Sequence, residues 1–76
     1  MIKRNKDQVI AEILEICQRE GVVKTHIAYG CNLNLKNIGI YCKYLVHAGL
    51  LEGAENTYRT TQKGMEALGH ITAFRT

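Results

Sequence analysis

Glycines at 21, 30 and 49 cut the first two-thirds of the chain into three stretches, each with apolar residues at helical spacing. Beyond Gly49 the period changes from that of a helix to that of strands. Three short helices followed by such a change, in 76 residues, leave few folds open. A chain this short buries only about 60% of the surface its unfolded form exposes, so the helices must share one small core.

Wound at 100° per residue, about Asn5 to Glu20 places Val9, Ile10, Ile13, Ile16 and Cys17 on one face. Gln8, Glu12, Glu15 and Arg19 fall opposite, with Glu15 and Arg19 at pairing distance. Asn5 or Asp7 caps this first helix, and Gly21 is expected to end it. Val22 and Val23 then bridge to a short second helix, about Lys24 to Tyr29, that stops at Gly30, with Ile27 and Ala28 inward. The connection from Gly30 to Asn34 is a tight turn anchored by Leu33, and Asn34 caps a third helix, Leu35 to Ala48. Two short helices joined in this way make a helix-turn-helix.

Gly49 ends the third helix. Leu50 to Gly53 and Thr57 to Thr60 then read as two strands around a polar tip, Ala54, Glu55 and Asn56. Thr61 caps a last helix in which Met65, Leu68 and Ile71 share a face, weakened by Gly64 and Gly69. The expected class is α+β and mostly helical: a single domain, 1–76, with three helices, a two-stranded wing and a C-terminal fourth helix. This is a winged helix-turn-helix.

The net charge of +3 is modest, but its distribution is not uniform. Lys3, Arg4 and Lys6 cluster at the start, and all seven acidic residues lie outside the stretch from Gly21 to Leu51, which carries Lys24, Lys36 and Lys43. The third helix turns Ile38, Tyr41, Cys42, Leu45 and Val46 inward and Lys36, Ile40, Lys43 and His47 outward. A cationic helix face without carboxylates is what a duplex backbone and groove require. Lys36 and Lys43, two turns apart, lie about 10 Å from each other along the axis and reach one groove wall together. Asn37 can read adenine or meet a phosphate, Ile40 can touch a thymine methyl, and Tyr44 can donate to a phosphate. Lys24 and Thr25, opening the second helix, are placed to touch the backbone. In the wing Glu52 and Glu55 flank the tip and Arg59 is the one cation, so the wing is expected to give shape and a single contact, with Asn56 as a neutral residue at the tip.

Lys24-Thr25-His26-Ile27, Asn32-Leu33, Tyr41-Cys42-Lys43-Tyr44-Leu45 and Ala48-Gly49-Leu50-Leu51, followed by Tyr58-Arg59-Thr60-Thr61-Gln62-Lys63-Gly64, resemble a known family. It is that of small archaeal winged helix-turn-helix proteins, among them transcriptional regulators and chromatin-associated dimers. The resemblance runs from Lys6 to Leu68 and implies DNA binding, with the third helix as reader. In longer relatives it also implies a C-terminal coiled-coil dimer. The fourth helix here is too short for a sustained heptad seam, so a homodimer would use a smaller interface of Met65, Leu68, Ile71 and Phe74.

Other classes find less support. Three cysteines, an odd number, give no disulfide framework and point to a reducing compartment; with no apolar leader or spanning segment, the expectation is a cytoplasmic protein away from the membrane. His26, Cys31, Cys42 and His47 lack the spacing of metal hooks, and Cys42 and His47 diverge around the helix, so no metal or other cofactor is expected. Cys17 and Cys42 read as core residues, Cys31 as a turn residue, and the four tyrosines as core plugs rather than base-stacking groups. No nucleophile stands with a base and orienter, so no enzyme activity is expected. Two rivals share the fold: an interaction module docking through the C-terminal apolar face, and an architectural chromatin protein that binds any duplex.

Overall fold

The computed structural model describes residues 5–18 and 21–75, with side chains as far as His70. The first helix, α1 (Lys6–Ile16), opens on a capping box. The Asn5 side chain accepts from the Gln8 N–H at 2.8 Å, and the Gln8 side chain accepts from the Asn5 N–H at 2.9 Å. Asn5, not Asp7, is therefore the cap. The buried face differs from the expected one: Ala11 and Leu14 join Val9, Ile13 and Cys17 in the core, and Ile10 and Ile16 are half-buried. The reason is that α1 is covered on two sides, and one helical stripe cannot meet both.

The helix also ends earlier than expected, at Ile16, before Gly21 is reached. Its last carbonyls are taken from far along the chain. The Thr60 N–H donates to the Cys17 carbonyl and the Thr60 hydroxyl to that of Leu14, both at 2.8 Å. Arg19, the expected partner of Glu15, lies outside the described residues, as do Lys3 and Arg4. Val22 and Val23 are a strand, β1 (Val22–Val23), rather than a bridge.

The next helix, α2 (Lys24–Cys31), does not stop at Gly30. Asn32 takes the left-handed conformation, φ 56°, that closes it. The Leu33 N–H reaches back to the Ala28 carbonyl at 3.0 Å and that of Asn32 to Tyr29 at 3.2 Å. Gly30 lies inside the helix where α1 approaches: a Cβ there would stand 2.7 Å from Ile16 Cδ1. Cys31 is correspondingly a fully buried helical residue, not a turn residue.

Asn34 caps the third helix, α3 (Leu35–His47), accepting from the Asn37 N–H at 2.8 Å. At the far end Gly49 has φ 80°, a conformation that penalises any side chain. The Leu50 N–H bonds the Leu45 carbonyl at 2.9 Å, and that of Gly49 bonds Val46 at 3.0 Å, turning the chain into the wing.

The wing is β2 (Leu51–Ala54) and β3 (Thr57–Thr60), paired antiparallel with Leu51 opposite Thr60 and Ala54 opposite Thr57. On its other edge β3 pairs with β1, so the sheet has three strands in the order β1-β3-β2. Thr61 links sheet to helix α4 (Gln62–Arg75): its hydroxyl donates to the Gly49 carbonyl at 2.6 Å and accepts from the Gly64 N–H at 3.0 Å. Gly64 is a packing requirement more than a weakness, since a Cβ there would fall on the Leu50 carbonyl oxygen. The core comes from α1, α2, α3, β1, β2 and α4, with Ile13, Leu14, Ile27, Ile38 and Leu45 its largest fully buried side chains. No helix among the described residues is long and apolar enough to cross a membrane.

Candidate nucleic-acid interface

Helix α3 sets the site because its two faces meet different surroundings. Ile38, Cys42 and Leu45 point into the core with no accessible surface. Lys36, Asn37, Lys43 and His47 are exposed, and so are Ile40 at 61% and Tyr44 at 60%. Of the residues expected inward, Tyr41 is half-buried and Val46 is 40% exposed, on the edge of the helix that faces the wing. The α3 residues named from the sequence, Lys36, Asn37, Ile40, Lys43, Tyr44 and His47, therefore share one outward surface. The Asn34 side chain is occupied as the helix cap, which leaves the exposed Asn37 side chain as the amide of that first turn.

Two depressions flank this surface. One runs between α3 and the wing and is lined by Lys24, Gly39, Lys43, Val46, His47, Gly53, Glu55 and Tyr58. Lys24, although it belongs to α2, lies across α3: its Nζ is 3.6 Å from where a Cβ on Gly39 would stand. The buried Cys42 thiol registers the same ammonium, which lowers a pKa that burial raises. Thr25 lies on the other side of Lys24, in a hollow with Val23, Leu35, Asn56 and Tyr58. The second depression, between α1 and α3, is lined by Lys6, Asp7, Ile10, Ile40, Tyr41 and Tyr44 and is mainly apolar.

Arg59 does not join the α3 cations. Strand residues alternate between faces, and Tyr58 and Gly53 are the wing residues turned toward Val46 of α3. Arg59 shares the outer side with Glu52, directly opposite it in the ladder, where opposite charges favour the pairing. Tyr29 is 90% exposed on α2, so it is not a core plug, and Tyr58 is half-buried between wing and helix.

The thiols of Cys17, Cys31 and Cys42 are free and buried. Burial pushes the Cys17 thiol from 9.0 up to about 12, and neighbouring Cys42 and Cys31 add to the rise. Such thiols are poor nucleophiles and poor metal ligands while protonated. His26 and His47 are exposed whereas Cys31 and Cys42 face the core, and no three His, Cys, Asp or Glu among the described residues gather as a metal-holding group. On α4, Leu68 is buried and Met65 is 45% exposed, so these two do not form one outward patch; the Ile71 and Phe74 side chains lie outside the described residues.

Sequence reasoning attached nothing to Gly39 and did not bring Lys24 over α3. The glycine was visible as a helix-weakening residue between two lysines, but the Lys24 placement depends on how α2 crosses α3.

Comparison with known proteins agrees with this architecture. The structure is similar to the crystal structure of Sso10a-2, a DNA-binding protein from Sulfolobus solfataricus, with a TM-score of 0.80 and 29% identity, covering 93% of this chain and 78% of that one. Two proteins of Methanocaldococcus jannaschii are also similar: MJ0287, 32% identical over 82% of this chain, and MJ0290, 33% identical over 83%. The matched region spans 64% of MJ0287 and 30% of MJ0290. A family model described as winged helix-turn-helix matches residues 3–76, and the chain belongs to that family.

Proposed function

We propose that this protein binds double-stranded DNA and acts as a transcriptional regulator inside the cell, laying α3 in the major groove. The observation that carries the reading is the outward face of α3, where Lys36, Ile40, Lys43, Tyr44 and His47 stand exposed in a stretch, Gly21 to Leu51, without a carboxylate. Lys36 and Lys43 meet phosphates across one groove wall, Asn37 and Ile40 face base edges, and Tyr44 and His47 extend the contact. Lys24 and Thr25 position the domain from α2, and Arg59, on the outer side of the wing, reaches the flanking backbone. The likeness to Sso10a-2, a DNA-binding protein, supports the reading. Two copies joined through α4 would meet half-sites about 34 Å apart and leave a palindromic footprint.

The test is fluorescence anisotropy of a labelled duplex across a salt series, with wild type and Lys36→Ala/Lys43→Ala. Affinity is expected to fall with salt at about 0.9 in log–log slope per phosphate contact, and the double variant to lose roughly two units of that slope. Binding that ignores both lysines would remove α3 as the reader. Equal affinity for selected and random sequences would replace the regulator with an architectural protein.

A further inference from the structure

Gly39 stands in the middle of α3, one turn from Lys36 and one from Lys43 on the same face. A glycine inside a helix destabilises it by loss of backbone freedom, and this chain carries several for which the structure has a reason. At Gly64 a Cβ would fall on the Leu50 carbonyl oxygen and at Gly30 it would press on Ile16, while Gly49, just past α3, needs its positive φ. None of these reasons applies at Gly39. Its φ is ordinary, and the atom nearest to an added Cβ is the far end of Lys24, at 3.6 Å, an unstrained contact. The free protein therefore has room for a side chain that it does not carry.

What distinguishes this position from Gly69, where an added Cβ would meet nothing within 4 Å, is the cleft around it. Gly39 lines the depression between α3 and the wing together with Lys24, Lys43 and His47, and no carboxylate comes from α2 or α3. Glu55 lines the same cleft from the wing tip, where its own φ is 57°. Cations from two helices thus converge on a bare stretch of helix backbone, with one anion across from them. Removal of a side chain is how a chain lets a ligand approach its backbone closely.

We propose that the cleft between α3 and the wing seats one phosphate of the DNA backbone, with Gly39 as the gap that admits it, Lys24 and Lys43 as its counter-charges and Glu55 as the anion it meets on the wing side. This rests on the DNA-binding reading above and deepens it, because it makes one position on the reading helix depend on having no side chain at all.

The experiment measures duplex affinity and its salt slope for wild type, Gly39→Ala, Gly39→Gln, the control Gly69→Ala, and Glu55→Gln in the wild-type and Gly39→Ala backgrounds, with circular-dichroism melting of each. Both alanine variants are expected to melt at or above the wild-type temperature, since Ala favours a helix. Gly69→Ala should bind within about twofold of wild type. Gly39→Ala should bind about tenfold more weakly and lose about one unit of salt slope, Gly39→Gln should bind more weakly still, and Glu55→Gln should tighten binding in the wild-type background only. Wild-type affinity in both Gly39 variants overturns the proposal while leaving DNA binding intact, as does weaker binding with an unchanged slope, which places the obstruction away from any phosphate. No binding by wild type at low salt overturns both readings together.

Discussion

The inward and outward faces of α3 belong to the same thirteen residues yet are under different demands. Ile38, Cys42 and Leu45 are sealed in the core, where close packing makes every methylene count. Lys36, Ile40, Lys43 and Tyr44 touch little of the protein and contribute little to holding it together. The difference teaches that, on the proposed reading, fold and recognition are separable on this helix. A substitution on one face should move stability and leave the salt dependence of binding alone, and a substitution on the other should do the reverse.

The strongest way to break that separation is Leu45→Ala. Removing a fully buried leucine should cost about 2–5 kcal/mol in urea unfolding. The fraction that remains folded should keep the wild-type salt slope; a changed slope would mean that the core side tunes the reading face directly.

The thiols sharpen the inward half of the comparison. Cys17 is protonated in the fold up to about pH 12, whereas the unfolded thiol ionises from 9.0. Below 9.0 both states hold the proton and stability is complete; as pH rises through the window to about 12, only the unfolded state gives it up, so stability falls. Between about pH 9 and about pH 10.5 wild type should lose about 1 kcal/mol more than Cys17→Ala, after allowance for solvent screening, measured by urea titration at each pH. Equal losses would show that the thiol is hydrated in the fold.

On the outward face, Ile40 offers a smaller and cleaner effect. If it rests on thymine methyl groups, wild type should prefer a thymine duplex to its uracil counterpart by about 0.8 kcal/mol per methyl contacted. Ile40→Ala should lose that preference with its salt slope and melting temperature unchanged. An effect of similar size is expected in the wing: Glu55, at φ 57°, adopts a conformation that glycine takes without penalty. Glu55→Gly should raise stability by up to about 1 kcal/mol in thermal melts.

Where a feature depended on its neighbours in sequence, it could be read without a structure. The Asn34 cap, the Gly49 turn into the wing, the Thr61 cap and the outward row on α3 all came from residues within a turn or two of each other. What could not be read depended on partners far along the chain. Val22 and Val23 are too short a run to declare a strand and become one by meeting Thr57 and Tyr58. Gly30 resembles a helix stop until Ile16 is beside it, and Asn32 takes over the closing role that asparagine tolerates. The α3 part of the candidate site was legible for the same local reason, because Lys36, Ile40, Lys43 and His47 follow one helical period. The placement of Lys24 over Gly39, and of Arg59 on the outer side of the wing, required the crossing of two helices and the pleat of a sheet.

Thr60 has a consequence for the order in which the molecule is made. Its hydroxyl and N–H hold the carbonyls of Leu14 and Cys17, so the end of α1 is fastened by a residue forty-six positions beyond the first of them. Everything between, including Lys24, Lys36 and Lys43, lies within the loop that this fastening closes. A nascent chain that has already emerged as far as His47 carries the whole of α3 but not the strand that fixes the base of the loop. During synthesis, the lysines of α2 and α3 therefore leave the ribosome before the strand that fastens the loop containing them.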